Sequence, residues 1–210
     1  MRISVLAACL SSALLAVPAC ATDFSFTGTF VNDNDKASFE FTVGSASSVT
    51  LLTYSYAGGV NSAGETIARG GFDPILSLYN SAGTLLGYND DGAGSPPDAV
   101  TGRRYDTNFV LDLAPGSYTV YVTQYDNFGP TQLPGAFRYD DNPNFRGGFF
   151  DVAGDKRDGH WAFDLLNVDS ASGPPSGGVP EPASWAMMLA GFGAIGGTMR
   201  SRRRTAVSFG

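Results

Sequence analysis

Three groups of side chains in this sequence carry chemistry worth weighing first. Asp33 and Asp35, Asp73, and the run Asn89-Asp90-Asp91 all offer carboxylate or amide oxygens. Hard oxygens suit calcium, which accepts several of them in flexible geometry, and exported proteins meet it at millimolar levels. None of the groups is an EF-hand, because Asp33-x-Asp35 lacks the third ligand, the glycine of the sharp turn and the closing Glu. Turn chemistry is the competing explanation, since Asn and Asp cap turns and tolerate left-handed backbone. On the cation reading, Asp33, Asp35, Asp73, Asn89, Asp90 and Asp91 hold calcium.

Catalytic constellations are sparse. His160 is the single histidine, so any Ser-His-Asp triad must use it, and no G-x-S-x-G elbow is present. One imidazole cannot build an all-histidine zinc site. Beside Trp161 at a strand start, His160 reads as a packing or surface residue. The Asp-rich loops could hold a carboxylate pair for glycoside hydrolysis, but nothing in the spacing sets the required separation. The aromatics Tyr125, Phe128, Phe137, Tyr139, Phe145, Phe149 and Phe150 could stack on sugar rings, or close a hydrophobic lid over one end of the fold.

The elements that must position these groups are strands. Phe39-Glu-Phe41-Thr-Val43 alternates with period two, as do Phe109 to Leu113 and Ser117 to Tyr125. Ile75 to Tyr79 is a short buried run, and Trp161 to Leu165 closes the set. Asn80-Ser-Ala-Gly83 and Asp91-Gly92 supply turn residues between runs. Short β-rich segments separated by Gly, Asn, Asp and Pro predict an all-β, antiparallel, jelly-roll-like β-sandwich. Two longer loops, 89–104 and 126–160, are of the length that is usually functional or mobile.

Both ends of the chain read as trafficking signals. Arg2, the apolar run from Ile3 to Val17 and the Ala19-Cys20-Ala21 site describe a signal peptide over residues 1–21. A lipobox ending at Cys20 is the alternative, and Pro18 fits it badly. Cleavage after Ala21 removes both cysteines, Cys9 and Cys20, so the mature protein has no disulfide, thiolate metal site or cysteine nucleophile. At the other end, 183–199 is uncharged, and as a helix it would reach about 25 Å, the lower limit for a bilayer core. Trp185 sits near its start, and Arg200, Arg202, Arg203 and Arg204 follow as a cytoplasmic flank. Gly191-Phe-Gly193-Ala-Ile-Gly196 fits the dinucleotide fingerprint by pattern alone. It has no acidic residue about 20 positions on, as that fold requires. Pro180-Glu181-Pro182 holds the preceding segment extended.

Val-Pro180-Glu181-Pro182, then Trp185-Ala186, a short apolar span and the Arg cluster resemble the PEP-CTERM sorting signal of Gram-negative bacteria. The resemblance implies cleavage by an exosortase, following signal peptidase and a transient stay in the inner membrane. It also implies delivery to the outer surface or extracellular matrix. A second resemblance covers roughly residues 26 to 125. Asn32-Asp33-Asn34-Asp35 before Phe39-Glu-Phe41 comes first, then Phe72-Asp73-Pro-Ile-Leu-Ser-Leu-Tyr79, then Gly83-Thr-Leu-Leu-Gly-Tyr-Asn89-Asp90-Asp91-Gly92, and Leu113-Ala-Pro-Gly116-Ser-Tyr-Thr-Val120 ends the series. In that order they look like the bacterial pre-peptidase C-terminal domain, a β-sandwich some members of which bind calcium and polysaccharide or collagen-like ligands. Only the Asp33–Asp35 cluster could match that family's calcium residues.

The expected organisation is therefore a signal peptide (1–21), a β-sandwich (22–169), a Gly/Pro/Ser linker (170–179), a sorting signal (180–204) and a short cytoplasmic tail (205–210). Residues 22–179 carry 19 acidic residues against 8 Lys and Arg, which disfavours nucleic acid and anionic membrane as partners. The whole points to a non-enzymatic surface or matrix protein associated with exopolysaccharide. The alternative is a calcium-assisted carbohydrate-binding module.

Overall fold

The computed structural model describes residues 21–174. The chain divides into two compact units, Met1–Pro174 and Pro175–Gly210, and the described residues belong to the first. The expected transmembrane helix (183–199) and the sorting signal lie outside the described residues, as does all of the signal peptide except Ala21.

Eleven strands form from the alternating segments, and no helix occurs among the described residues. They are β1 (Thr22–Thr29), β2 (Ala37–Val43), β3 (Ser47–Thr53), β4 (Gly59–Val60), β5 (Thr66–Ile67) and β6 (Pro74–Asn80). The remainder are β7 (Leu85–Asn89), β8 (Asn108–Leu113), β9 (Gly116–Gln124), β10 (His160–Val168) and β11 (Ser170–Ser172). One sheet has the order β1-β10-β3-β8 and the other β11-β2-β9-β6-β7, while β4 and β5 form a small hairpin. Every pairing between these strands is antiparallel.

Period-two alternation decides which side chains meet between the sheets. In β2, Phe39, Phe41 and Val43 are buried while Glu40 and Thr42 face solvent. Their counterparts across the core are Val49 and Leu51 of β3 and Trp161, Phe163 and Leu165 of β10. Phe39 is the hub: its ring lies 4.8 Å from Phe26, 4.8 Å from Phe163 and 5.6 Å from Trp161, the last edge-on. Such aromatic packing adds about 0.5–1.5 kcal/mol per pair beyond the area it removes from water.

The β6–β7 hairpin is built as its turn residues dictate. Gly83 takes a left-handed φ of 77°, and the Asn80 carboxamide oxygen accepts from the amides of Ala82 and Thr84. One expectation needs correction. The linker does not begin at Ser170, because Ser170–Ser172 forms β11 and pairs with Glu40–Thr42 of β2. The aromatics of the 126–160 loop follow the lid reading. Phe137 is buried, and Phe149 packs against the core, stacked on Phe72 at 5.6 Å.

That loop covers the outer face of the five-stranded sheet. The Tyr79 hydroxyl donates to the Pro130 carbonyl at 2.9 Å, Phe128 meets Tyr88 edge-on at 5.2 Å, and Phe137 leans on Tyr121 at 5.0 Å. Tyr139 and Phe145 stack on each other at 3.8 Å, and the Arg146 guanidinium lies over Tyr125. Ring faces spent on one another in this way make a lid rather than an open sugar platform.

Candidate functional site

The six acidic and amide candidates separate into two groups in space. Asp33 and Asp35 flank the turn between β1 and β2, and their carboxylates are already occupied. Asp33 is buried and accepts from the backbone amides of Phe145 (3.0 Å), Arg146 (2.9 Å) and Gly148 (3.1 Å). Asp35 accepts from the amides of Val31 and Asn32, both at 2.8 Å. Both oxygens of Asp33 and Oδ2 of Asp35 are thereby committed to holding backbone, as the capping reading has it.

Asp73, Asn89, Asp90 and Asp91 lie together at one end of the five-stranded sheet. Register brings them there: Leu76 of β6 pairs with Asn89 of β7, and Pro74 pairs with Gln124 of β9. The Tyr125 amide donates to the Asp73 carbonyl at 2.7 Å, fixing the chain just before β6. The Asn89 carboxamide oxygen is used, accepting from the Asn108 amide at 3.2 Å. Asp73 Oδ1 and Asp90 Oδ1, by contrast, are buried with no hydrogen-bond partner. Among the described ion pairs none includes Asp73, Asp90 or Asp91.

Electrostatics follow from that isolation. Burial, and after it the charges of Asp90, Asp91, Asp151 and Asp106, push the Asp73 carboxyl well above the usual carboxylate range. Asp90 is pushed up to about 6, again by burial first and then by Asp91 and Asp126. Burial also raises Asp91. No three His, Cys, Asp or Glu side chains among the described residues come close enough to hold a metal alone.

A separate buried network pins the two long loops, which are therefore neither free nor open here. Arg69 grips Asp98 with Nε (2.8 Å) and Nη2 (3.0 Å), and Arg157 approaches the same carboxylate at 3.6 Å. The Arg157 guanidinium lies over the Tyr56 ring at 3.6 Å, and the Tyr56 hydroxyl donates to Asp151 at 2.7 Å. Arg103 pairs with Asp155 and lies 3.5 Å from Asp151. Burial alone would raise the Asp98 carboxyl. The Arg69 pair and the amides and hydroxyl of Thr101 and Val100 outweigh it and hold the group well below the carboxylate range.

His160 is equally engaged. Nδ1 meets the Asp158 carboxylate, and Nε2 lies 3.0 Å from the Ala68 carbonyl. No serine hydroxyl bonds it among the described residues. Sequence reasoning missed Gln124 and Asn108. Gln124 was findable, since it continues the inward-facing positions Tyr118, Val120 and Val122 of β9 with a polar side chain.

The described residues form an all-β protein of two packed antiparallel sheets. Residues 178–204 match the family described as the PEP-CTERM protein-sorting motif, so the chain carries that motif at the place its prolines, Trp185 and arginines indicated. The motif implies an exported, exosortase-sorted protein with a membrane-anchored precursor. Among solved structures the chain is similar to the pre-peptidase C-terminal domain of a collagenase from Bacillus anthracis. The identity is 13% and the TM-score 0.35, over 72% of this chain and 90% of that one. No curated protein matches the chain.

Proposed function

We propose that this protein is a non-catalytic component of the outer surface or extracellular matrix of a Gram-negative bacterium, where its β-sandwich associates with exopolysaccharide. The observation that carries this reading is the sorting motif at residues 178–204. Within it, Pro180, Glu181, Pro182 and Trp185 serve exosortase recognition, and Arg200, Arg202, Arg203 and Arg204 hold the precursor in the inner membrane. Signal peptidase releases the N-terminus before that step.

Several features of the delivered part agree with a structural role. Its one histidine is tied to Asp158 and Ala68, and its long loops are braced by Arg69, Arg103 and Arg157 rather than arranged around an open cleft. Mutual packing of the loop aromatics weighs against the carbohydrate-binding module built on residues 126–150.

Fractionation of cells followed by intact mass measurement tests the reading. The expected result is a cell-surface or matrix species that begins at Thr22 and lacks the arginine cluster. A full-length, cytosolic chain of 22.0 kDa overturns it. Co-sedimentation of the recovered protein with the secreted polysaccharide tests the finer claim. Saturable binding lost on mutating the loop aromatics would favour the module instead.

A further inference from the structure

Antiparallel pairing sorts the connections of the sandwich into two ends. Those joining β2 to β3, β6 to β7, β8 to β9 and β10 to β11 are short turns at one end. The long connections, 30–36, 54–73, 90–107 and 125–159, lie at the other. Charge follows the same division. No strand and no short turn contains Lys or Arg, so every base of residues 22–174 sits in a long connection. Asp23, Asp112 and Asp169 lie at the short-turn end, and none of them appears in a described ion pair.

Strand β8 joins the two ends, with loop 96–104 before its start and Leu113 at its close roughly 17 Å further on. At the loop end, Val100 is 73% exposed and Val152 is 50% exposed. Scattered apolar side chains are ordinary on a surface, but these two stand on adjoining loops that are held rigid. The buried Asp98 carboxylate accepts from the amides of Val100 (3.1 Å) and Thr101 (2.7 Å). Buried Asp151 accepts from the amides of Ala153 and Asp155, both at 2.9 Å. The Tyr56 hydroxyl ties the loops together, 2.7 Å from Asp151 and 3.4 Å from the Thr101 hydroxyl. Asn108 and Gln124 fix the flanks. The Asn108 amide donates to Asn89 at 3.2 Å, and the Gln124 amide nitrogen faces the carbonyls of Gly148 (3.4 Å) and Phe150 (3.5 Å). Asp155 pairs with Arg103, which leaves Arg104 and Lys156 as exposed bases with no carboxylate among the described ion pairs.

The far end of β8 offers the complement. Ala46, Ser47, Ser48, Leu113 and Ala114 line an open cavity of about 400 Å³, and exposed Asp112 stands beside them. β7 and β8 run together along one flank while β1 and β11 are the sheet edges at the other, so the cavity is clear of Thr22 and Pro174. We propose that the protein associates with a second copy of itself head to tail. Val100 and Val152, flanked by Arg104 and Lys156, dock at the cavity beside Asp112 of the next molecule. A copy is the fitting partner because one chain carries both halves, an apolar tip with unpaired bases and a small-residue cavity with an unpaired acid. Among copies of so acidic a protein, setting base against acid turns repulsion into attraction. Loops already fixed lose little freedom on docking. The two surfaces differ, so the interface is heterologous: each docked pair keeps a free head and a free tail, and addition continues as an open filament. This goes beyond the reading of an exported surface component, and its failure would leave that reading intact.

Sedimentation and light scattering of the processed protein recovered from cells, across a concentration series, test the proposal. Mean mass should keep rising with concentration past the dimer. It should fall in about 1 M NaCl, where the screening length is about 3 Å. Val100→Ser with Arg104→Ser spoils the head, and Asp112→Lys spoils the tail. Each should weaken association by about tenfold or more with the urea midpoint unchanged. Mixed in equal amounts, the two variants should form pairs that do not grow, since one intact head meets one intact tail. A monomer at every concentration up to about 1 mM, the weak end of the affinity scale, sinks the proposal. So does a closed symmetric dimer, which needs the same patch on both copies, and so does growth that both variants leave unchanged.

Discussion

Asp33 and Asp73 carry the same carboxyl group and are buried alike, at 1% and 2% exposure. Their surroundings are opposite. Three backbone amides converge on Asp33, whereas Asp73 keeps an oxygen with no donor and faces further carboxylates. Sequence composition cannot distinguish a carboxylate used as a fastener from one left without a donor. The difference lies in whether a distant stretch of chain delivers its N–H groups, and for Asp33 that stretch is more than a hundred residues away.

The contrast can be broken by experiment. Asp33→Ala should have the largest effect, a loss of about 3 kcal/mol in urea unfolding, because it orphans the amides of Phe145, Arg146 and Gly148. A cost below about 1 kcal/mol would mean the fastening contributes little beyond an ordinary surface change.

Acid should act next, through Asp98. Its folded-state pKa lies below the unfolded value, so its contribution is whole above about pH 4 and is lost as pH falls through the folded pKa. Unfolding midpoints measured from pH 6 downwards should fall more steeply for the parent than for Asp98→Asn. Parallel curves would show that Arg69 and Asp98 add nothing to folding.

Asp73→Asn should go the other way, with a gain of about 1 kcal/mol as the repelling charge leaves a buried site. A clear loss of stability would reveal a hidden partner for Asp73 and erase the distinction from Asp33. Asp35→Ala should be smallest, at about 0.5–1 kcal/mol, since it removes only a partly exposed cap on Val31 and Asn32. Hydrogen exchange at those two amides would check that the loosening stays local.

Much of the fold was legible because burial imposes a period. The alternating residues of β2 and β9 and the turn at Asn80–Gly83 all fall where the pattern placed them. The sorting motif was legible because its parts must follow one another in order. The polar strand β11 and the two-residue strands β4 and β5 were not, since Ser-Ala-Ser, Gly-Val and Thr-Ile carry too little periodicity to register. Gln124 and Asn108 stayed hidden for another reason: each acquires meaning only when β6, β7, β8 and β9 are laid side by side.

The short strand β11 has a mechanical consequence. It is the last piece of the body before Pro174, and it holds by three residue pairs at the edge of its sheet, while the preceding β10 lies between two neighbours. A pull transmitted from a tethered C-terminus therefore loads β11 first. Peeling it would release about 10 Å of chain while leaving the Phe39 cluster closed, so β11 works as a fuse that lengthens under tension before the sandwich itself is strained.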